Sequence, residues 1–200
     1  MSTTAKGDEF EQRAYDALAS ELRDERLCAA PKCAKIFRKK AYHSRDRGSD
    51  IITDISIEVF LPDHDRPSLV WVFECKDYSG SIPVDNVEEF HAKLQQIGED
   101  NTKGTFVTSG ALQRSALAFA RSKRIGVIRL LPSDQIRHVM EMLTMSSMAR
   151  AAQIDWSEFE SAITIPEHRS RRGFFAAHDG YWLGSWYSVL SHELSEHTAA

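Results

Sequence analysis

Glu74 and Lys76 stand one residue apart in FECKDYSG, residues 73–80, where the continuous apolar run Leu69 to Phe73 ends. Such a run bounded by turn-forming residues is the pattern of a buried strand. Side chains on a strand alternate between faces, so Glu74 and Lys76 point the same way, about 6 to 7 Å apart, and Cys75 points the other way. An exposed strand end carrying a weak ion pair, worth at most about 1 kcal/mol, is the plain alternative. A second set of acids precedes this strand. DIITDISIEVFL, Asp50 to Leu61, is rich in Ile and Val, and the turn-rich PDHDRPS joins it to LVWVFECK as a hairpin. Folding the hairpin about its turn sets residues 54–56 opposite Glu74, so Asp54 falls close to Glu74 and Lys76, with Asp50 further out on the same face. A slip of one residue would reverse a face, and both aspartates therefore stay candidates.

Two carboxylates and an ammonium at one end of a sheet have a definite chemical use. Carboxylate oxygens are the hard ligands that Mg²⁺ prefers, and Mn²⁺ accepts them as well. A cation held there polarises a phosphodiester and acidifies a bound water, while the ammonium orients the nucleophile or offsets charge in the transition state.

The elements that must position these groups can be read around them. In GDEFEQRAYDALASEL, Phe10, Ala14, Leu18 and Leu22 form one apolar helical face, with Asp8 and Glu11 at the offset of a capping box. KIFRKKAY reads as a short strand. In PVDNVEEFHAKLQQIGEDN, Val84, Val87, Phe90, Leu94 and Ile97 share a helical face, with Asp85 and Glu88 as a second capping box. GTFVTSG reads as a strand, ALQRSALAFARSKR as a helix and IGVIRLL as a strand, an alternation that favours parallel pairing. Residues 1–132 then form an α/β domain, and residues 133–200 a mainly helical C-terminal extension.

This order, helix, three strands, helix, strand, with Asp on the second strand and Glu-x-Lys on the third, resembles the PD-(D/E)xK nuclease superfamily, in particular restriction-endonuclease-like domains of the Mrr type. The likeness covers about residues 7 to 131, through GDEFEQRAYDAL, GSDIITD, FECKDYSG, VEEFHAKLQQI and GTFVTSGALQRSALAFA. It implies an αβββαβ core with a mixed central sheet flanked by helices. It also implies a Mg²⁺-dependent endonuclease acting on DNA, in restriction or repair, that leaves a 5′-phosphate. Carried over, it makes Glu74 a metal ligand, Lys76 the residue that positions the attacking water, and Asp54 the other ligand, with Asp50 as the first Asp of the family pattern. Gln95 or Gln96 would be the polar residue contributed by the following helix, and Glu11 a first-helix acid lining the metal site. No Pro precedes either Asp, and the hairpin turn is longer than usual for the family.

Composition bounds the partners. With a net charge of −4, the whole chain carries no nucleic-acid signature. A local one exists in KIFRKKAYHSRDR, where Lys35, Arg38, Lys39, Lys40, Arg45 and Arg47 accompany a single acid, Asp46. Phosphate contacts from such a stretch would hold DNA over an acidic cleft that otherwise repels it. HRSRR, His168 to Arg172, is a second basic cluster. Cys28, Cys33 and Cys75 are an odd number in a chain without an apolar leader, which points to a reducing cytoplasm, and no apolar run is long enough to span a membrane. Cutting both strands commonly needs two sites, hence a homodimer. HELSEH, His192 to His197, spaces its histidines five apart, about 500° of helix, so they do not share the face a zinc protease needs. The alternative to an enzyme is a nuclease-like module that binds DNA or a partner protein without turnover.

Overall fold

The computed structural model describes residues 3–23, 31–62, 64–98, 101–130, 161–166, 174–178 and 181–183. Helix α1 spans Thr3–Arg23, and the strands β1 (Ala34–Arg38), β2 (Ala41–Ser44), β3 (Ser49–Ile52), β4 (Ile55–Val59), β5 (Leu69–Lys76) and β6 (Ser81–Ile82) follow. Then come α2 (Val84–Ile97), β7 (Thr102–Thr108), β8 (Ala111–Leu112), α3 (Arg114–Ser122), β9 (Gly126–Leu130), β10 (Phe174–His178) and β11 (Tyr181–Leu183). The main sheet has the order β1-β4-β5-β7-β9-β10-β11. β1, β4 and β5 are antiparallel neighbours, β5, β7 and β9 are parallel, and β10 and β11 return antiparallel. With β2 and β3 set aside, α1, β1, β4, β5, α2 and β7 make the αβββαβ core.

Alternation along β5 divides the interior. Leu69, Trp71, Phe73 and Cys75 face α1 and pack with Phe10, Ala14, Leu18 and Leu22, the four residues whose spacing predicts that face. Val70 and Val72 face the opposite side, with Val87, Phe90 and Leu94 of α2 and Ala116, Leu117 and Ala120 of α3. Glu74 and Lys76 extend this second face, so the charged pair points to the α2 side. Gly104 of β7 lets α2 approach: a Cβ there would lie 2.2 Å from Leu94 Cδ1 and 3.1 Å from Phe90 Cε1.

Two segments expected as single strands are each broken in two. KIFRKKAY bends at Lys39, whose φ of 52° is left-handed, and DIITDISIEVFL is interrupted at Thr53 and Asp54. The register of the β1–β4 pair, Arg38 with Ile55, continues unchanged into the β2–β3 pair, Ala41 with Ile52. Lys39 N to Asp54 O and Thr53 N to Lys40 O, both 2.9 Å, bridge the bend. The result is one hairpin folded back on the α2 face. Tyr42 hydroxyl bonds Ser56 Oγ and Glu58 Oε1 of β4, and Ser44 Oγ bonds Gln96 Oε1 of α2.

Neither capping box forms. α1 already begins at Thr3, which leaves Asp8 and Glu11 inside the helix, and the α2 N-cap is Pro83 with no side-chain cap bond. Thr108 to Gly110 link β7 to β8, and the α3 N-cap is Gln113. Most of the expected helical extension, 133–200, lies outside the described residues, as do Cys28, His168 to Arg172 and His192 to His197. The described parts are residues 161–166, which begin with a helical turn at 161–164, and the strands β10 and β11, which add to the main sheet within a segment expected to be mainly helical. Ala162 and Ile163 are buried against the α2 and α3 core. The buried Arg129 guanidinium holds this turn through the carbonyls of Ala162, Ile165 and Pro166.

Candidate active site

Asp54 occupies the bend where the β4–β5 ladder gives out after Ile55 and Phe73. Its side chain continues the pairing: Oδ2 accepts the backbone N–H of Cys75 at 2.8 Å, and Oδ1 accepts Lys39 Nζ at 2.9 Å. Extending the register one step sets Asp54 opposite Glu74, as the sequence geometry predicts. Glu74 is buried, and its Oε1 takes two ammonium groups, Lys76 Nζ at 3.0 Å and Lys93 Nζ at 2.9 Å.

Glu11 reaches the same sheet end from α1 and is buried. Lys39 Nζ lies 2.7 Å from its Oε1 and 2.6 Å from its Oε2, only the first contact being a well-directed hydrogen bond, and Arg38 Nη2 is 3.8 Å from Oε2. Three carboxylates thus face three lysines at one end of the sheet. Burial pulls the Lys76 ammonium toward a lower pKa, but the charge of Glu74, its hydrogen bond and the charge of Asp54 outweigh this, and the pKa is raised. Lys39 is raised by the same balance, burial opposing it and Glu11 and Asp54 prevailing. Burial, and then the charges of Asp54, Glu11 and Glu74, push the Cys75 thiol well up. It is a packed, protonated thiol.

A hard divalent cation fits this donor set in kind, since Asp54 and Glu74 offer carboxylate oxygen only. Among the described residues, no three acidic, His or Cys side chains stand close enough together to hold a metal ion, and lysine ammonium groups lie against the carboxylates.

The other expected residues fall elsewhere. Asp50 is exposed on β3 with its carboxylate 3.2 Å from His43 Nδ1, so the bend has separated it from Asp54. Gln95 is exposed, and Gln96 anchors the folded hairpin through Ser44. The α2 side chain at the site is Lys93, which sequence reasoning missed. Helical spacing carries the signal: Lys93 is about 60° around the helix from the buried Phe90, whereas Gln95 is about 140° away. The basic stretch is divided too. Lys39 serves the acidic cluster, Lys40 pairs with the buried Glu58 at 2.5 Å and covers the Phe37 ring, and Arg38 bonds Gln12 of α1. Lys35 is exposed above the Phe60 ring, and Arg45 and Arg47 are exposed at the hairpin tip beside Gly48, whose φ is 62°. Next to the site, the loop after β5 meets the loop after β7 at Gly110, where a Cβ would lie 2.6 Å from the carbonyl oxygens of Gly80 and Tyr78.

Comparison with known proteins gives one family. The model of the Mrr catalytic domain, described as restriction endonuclease, matches residues 6–140. No curated protein matches the chain. Among solved structures, the crystal structure of a protein of unknown function, AF1548, is similar at 12% identity with a TM-score of 0.41. That match covers 56% of this chain and 55% of the other, so this chain spans about half the length of that structure.

Proposed function

Because the chain belongs to the restriction endonuclease family of the Mrr catalytic type, we propose that it is a metal-dependent endonuclease hydrolysing DNA phosphodiester bonds in restriction or repair. The observation that carries this reading is the meeting of Asp54, Glu74 and Lys76 where the β4–β5 ladder ends, with Lys76 Nζ 3.0 Å from Glu74. Asp54 and Glu74 would hold Mg²⁺ or Mn²⁺, which supplies Lewis-acid activation of the phosphodiester and a water of lowered pKa. The chain's own residues then set the geometry. Cys75 N–H and Lys39 fix both oxygens of Asp54, and Lys93 and Lys76 share Oε1 of Glu74, so that Oε2 would be the oxygen offered to a cation. Lys76, held as an ammonium, donates rather than abstracts: it orients the attacking water and offsets the charge gathering on the phosphoryl oxygens. Cutting both strands commonly needs two such sites, which two copies of the chain would supply. Among the described residues Cys33 and Cys75 are free thiols, which suits a reducing cytoplasm. Among the described residues, no helix is long and apolar enough to cross a membrane.

One observation favours a second reading, a module that binds DNA or a protein without turnover: every carboxylate of the cluster already carries an ammonium. Supercoiled plasmid incubated with the protein and Mg²⁺ or Mn²⁺ separates the two. Nicking by the wild type should fall about 10²-fold or more in Asp54→Asn, Glu74→Gln and Lys76→Met. Activity that persists in all three would sink the mechanism, and retention of plasmid without cutting would support the second reading.

A further inference from the structure

Lys39 grips Asp54 twice. Its backbone N–H donates to the Asp54 carbonyl at 2.9 Å, and its Nζ donates to Asp54 Oδ1 at 2.9 Å. The same Nζ lies within 2.7 Å of both oxygens of Glu11. Lys39 does this from a left-handed backbone, φ 52°, a region that non-glycine residues seldom occupy. A merely solvated lysine has no reason to sit in that conformation at the bend that presents the site aspartate. Glu11, for its part, is only 9% exposed, and the cations near it are Lys39 and, at 3.8 Å, Arg38. A buried carboxylate is stable only with a partner, and here the partner is an ammonium of the chain itself.

We infer that Glu11 is a positioning residue, outside the ligand set of the cation, which acts through the Lys39 ammonium to hold Asp54 at the sheet end. The inference rests on the reading that Asp54 and Glu74 bind a divalent ion. It changes what the first-helix acid does. A ligand must supply a charged oxygen to the cation, whereas a positioning residue need only accept a hydrogen bond from Lys39, which a glutamine can also do.

Calorimetric titration of Mn²⁺ into the full chain tests this. The wild type should bind, Asp54→Asn and Glu74→Gln should lose at least about tenfold in affinity, and Glu11→Gln should stay within about threefold of the wild type. In nicking assays at saturating Mn²⁺, Glu11→Ala should lose about tenfold in kcat through misplacement of Asp54, and Glu11→Gln should recover most of it. Thermal unfolding of the metal-free protein gives a readout independent of activity: the double variant Glu11→Ala with Lys39→Met should be less destabilised than the sum of its single changes. A loss of Mn²⁺ affinity in Glu11→Gln equal to that in Asp54→Asn would overturn this inference while leaving the nuclease reading intact, and so would strict additivity in unfolding. A wild type that binds no Mn²⁺ would overturn both.

Discussion

Lys39, Lys76 and Lys93 each approach a carboxylate oxygen of the sheet end to within 3.0 Å, so the cluster is electrically balanced before any cation arrives. The balance has a pH signature in the metal-free protein. The native pKa values of Lys39 and Lys76 are raised, so below the ordinary lysine range both native and unfolded chains are protonated and these pairs contribute fully. As pH climbs through that range the unfolded chain releases its protons first, and the contribution is lost as pH passes the native values. Cys75 has the same sign and begins sooner, since the unfolded thiol ionises near pH 8.5 while the native one stays protonated. Urea unfolding measured from pH 7 to 11.5 should therefore show stability falling from about pH 9 upward. Cys75→Ala should flatten the first part of the fall, and Lys39→Met or Lys76→Met the later part. A stability that holds level to pH 11.5 would contradict the assigned shifts.

Helix α2 brings Lys93 to Glu74 because nothing but hydrogen separates it from the sheet at Gly104. Replacing that glycine by alanine drives a methyl into Leu94 Cδ1, 2.2 Å from the ideal Cβ position, with Phe90 also in the way. Overpacking of this kind costs about 1–3 kcal/mol. The lowered stability of Gly104→Ala, read by denaturant unfolding, should come with weakened nicking because Lys93 moves with the helix; full activity in a destabilised variant would show that Lys93 is dispensable. The contrast with Gln95 marks how far sequence goes. Periodicity finds α1, α2 and the parallel strands, since Phe10, Ala14, Leu18 and Leu22, or Val87, Phe90 and Leu94, bury one helical face whatever surrounds them. Hairpin geometry likewise places Asp54 opposite Glu74. Hidden from it was the bend at Lys39: the residue is not glycine, and its left-handed backbone comes with contacts to Glu11 of α1 and to Asp54 that are remote in sequence. That single bend turns two expected strands into four, removes Asp50 from the site and draws Lys39 into it.

At the scale of the whole molecule, a chain of net charge −4 that acts on DNA, as proposed, must still approach a polyanion. The basic stretch between residues 35 and 47 is where the sequence places that attraction, but its members are not equivalent once folded. Lys39 and Lys40 spend their charge on Glu11, Asp54 and Glu58, whereas Arg45 and Arg47 stand exposed at the tip of the folded hairpin whose base is Asp54. A phosphate contact at the tip would thus be tied by a short, doubly bonded β-ribbon to Asp54, the proposed metal ligand. Each phosphate neutralised releases counterions, and the log of the binding constant falls with log salt by about 0.9 per contact. Arg45→Ala with Arg47→Ala should weaken DNA binding to the same degree on unrelated sequences and reduce that salt slope by about 2, as measured by fluorescence anisotropy without divalent ions. Lys40→Gln should leave the slope unchanged, because the lysine it removes already neutralises Glu58. If the slope responds to Lys40 and not to the two arginines, the hairpin tip does not face DNA, and the nucleic acid must enter across the β1 side of the sheet instead.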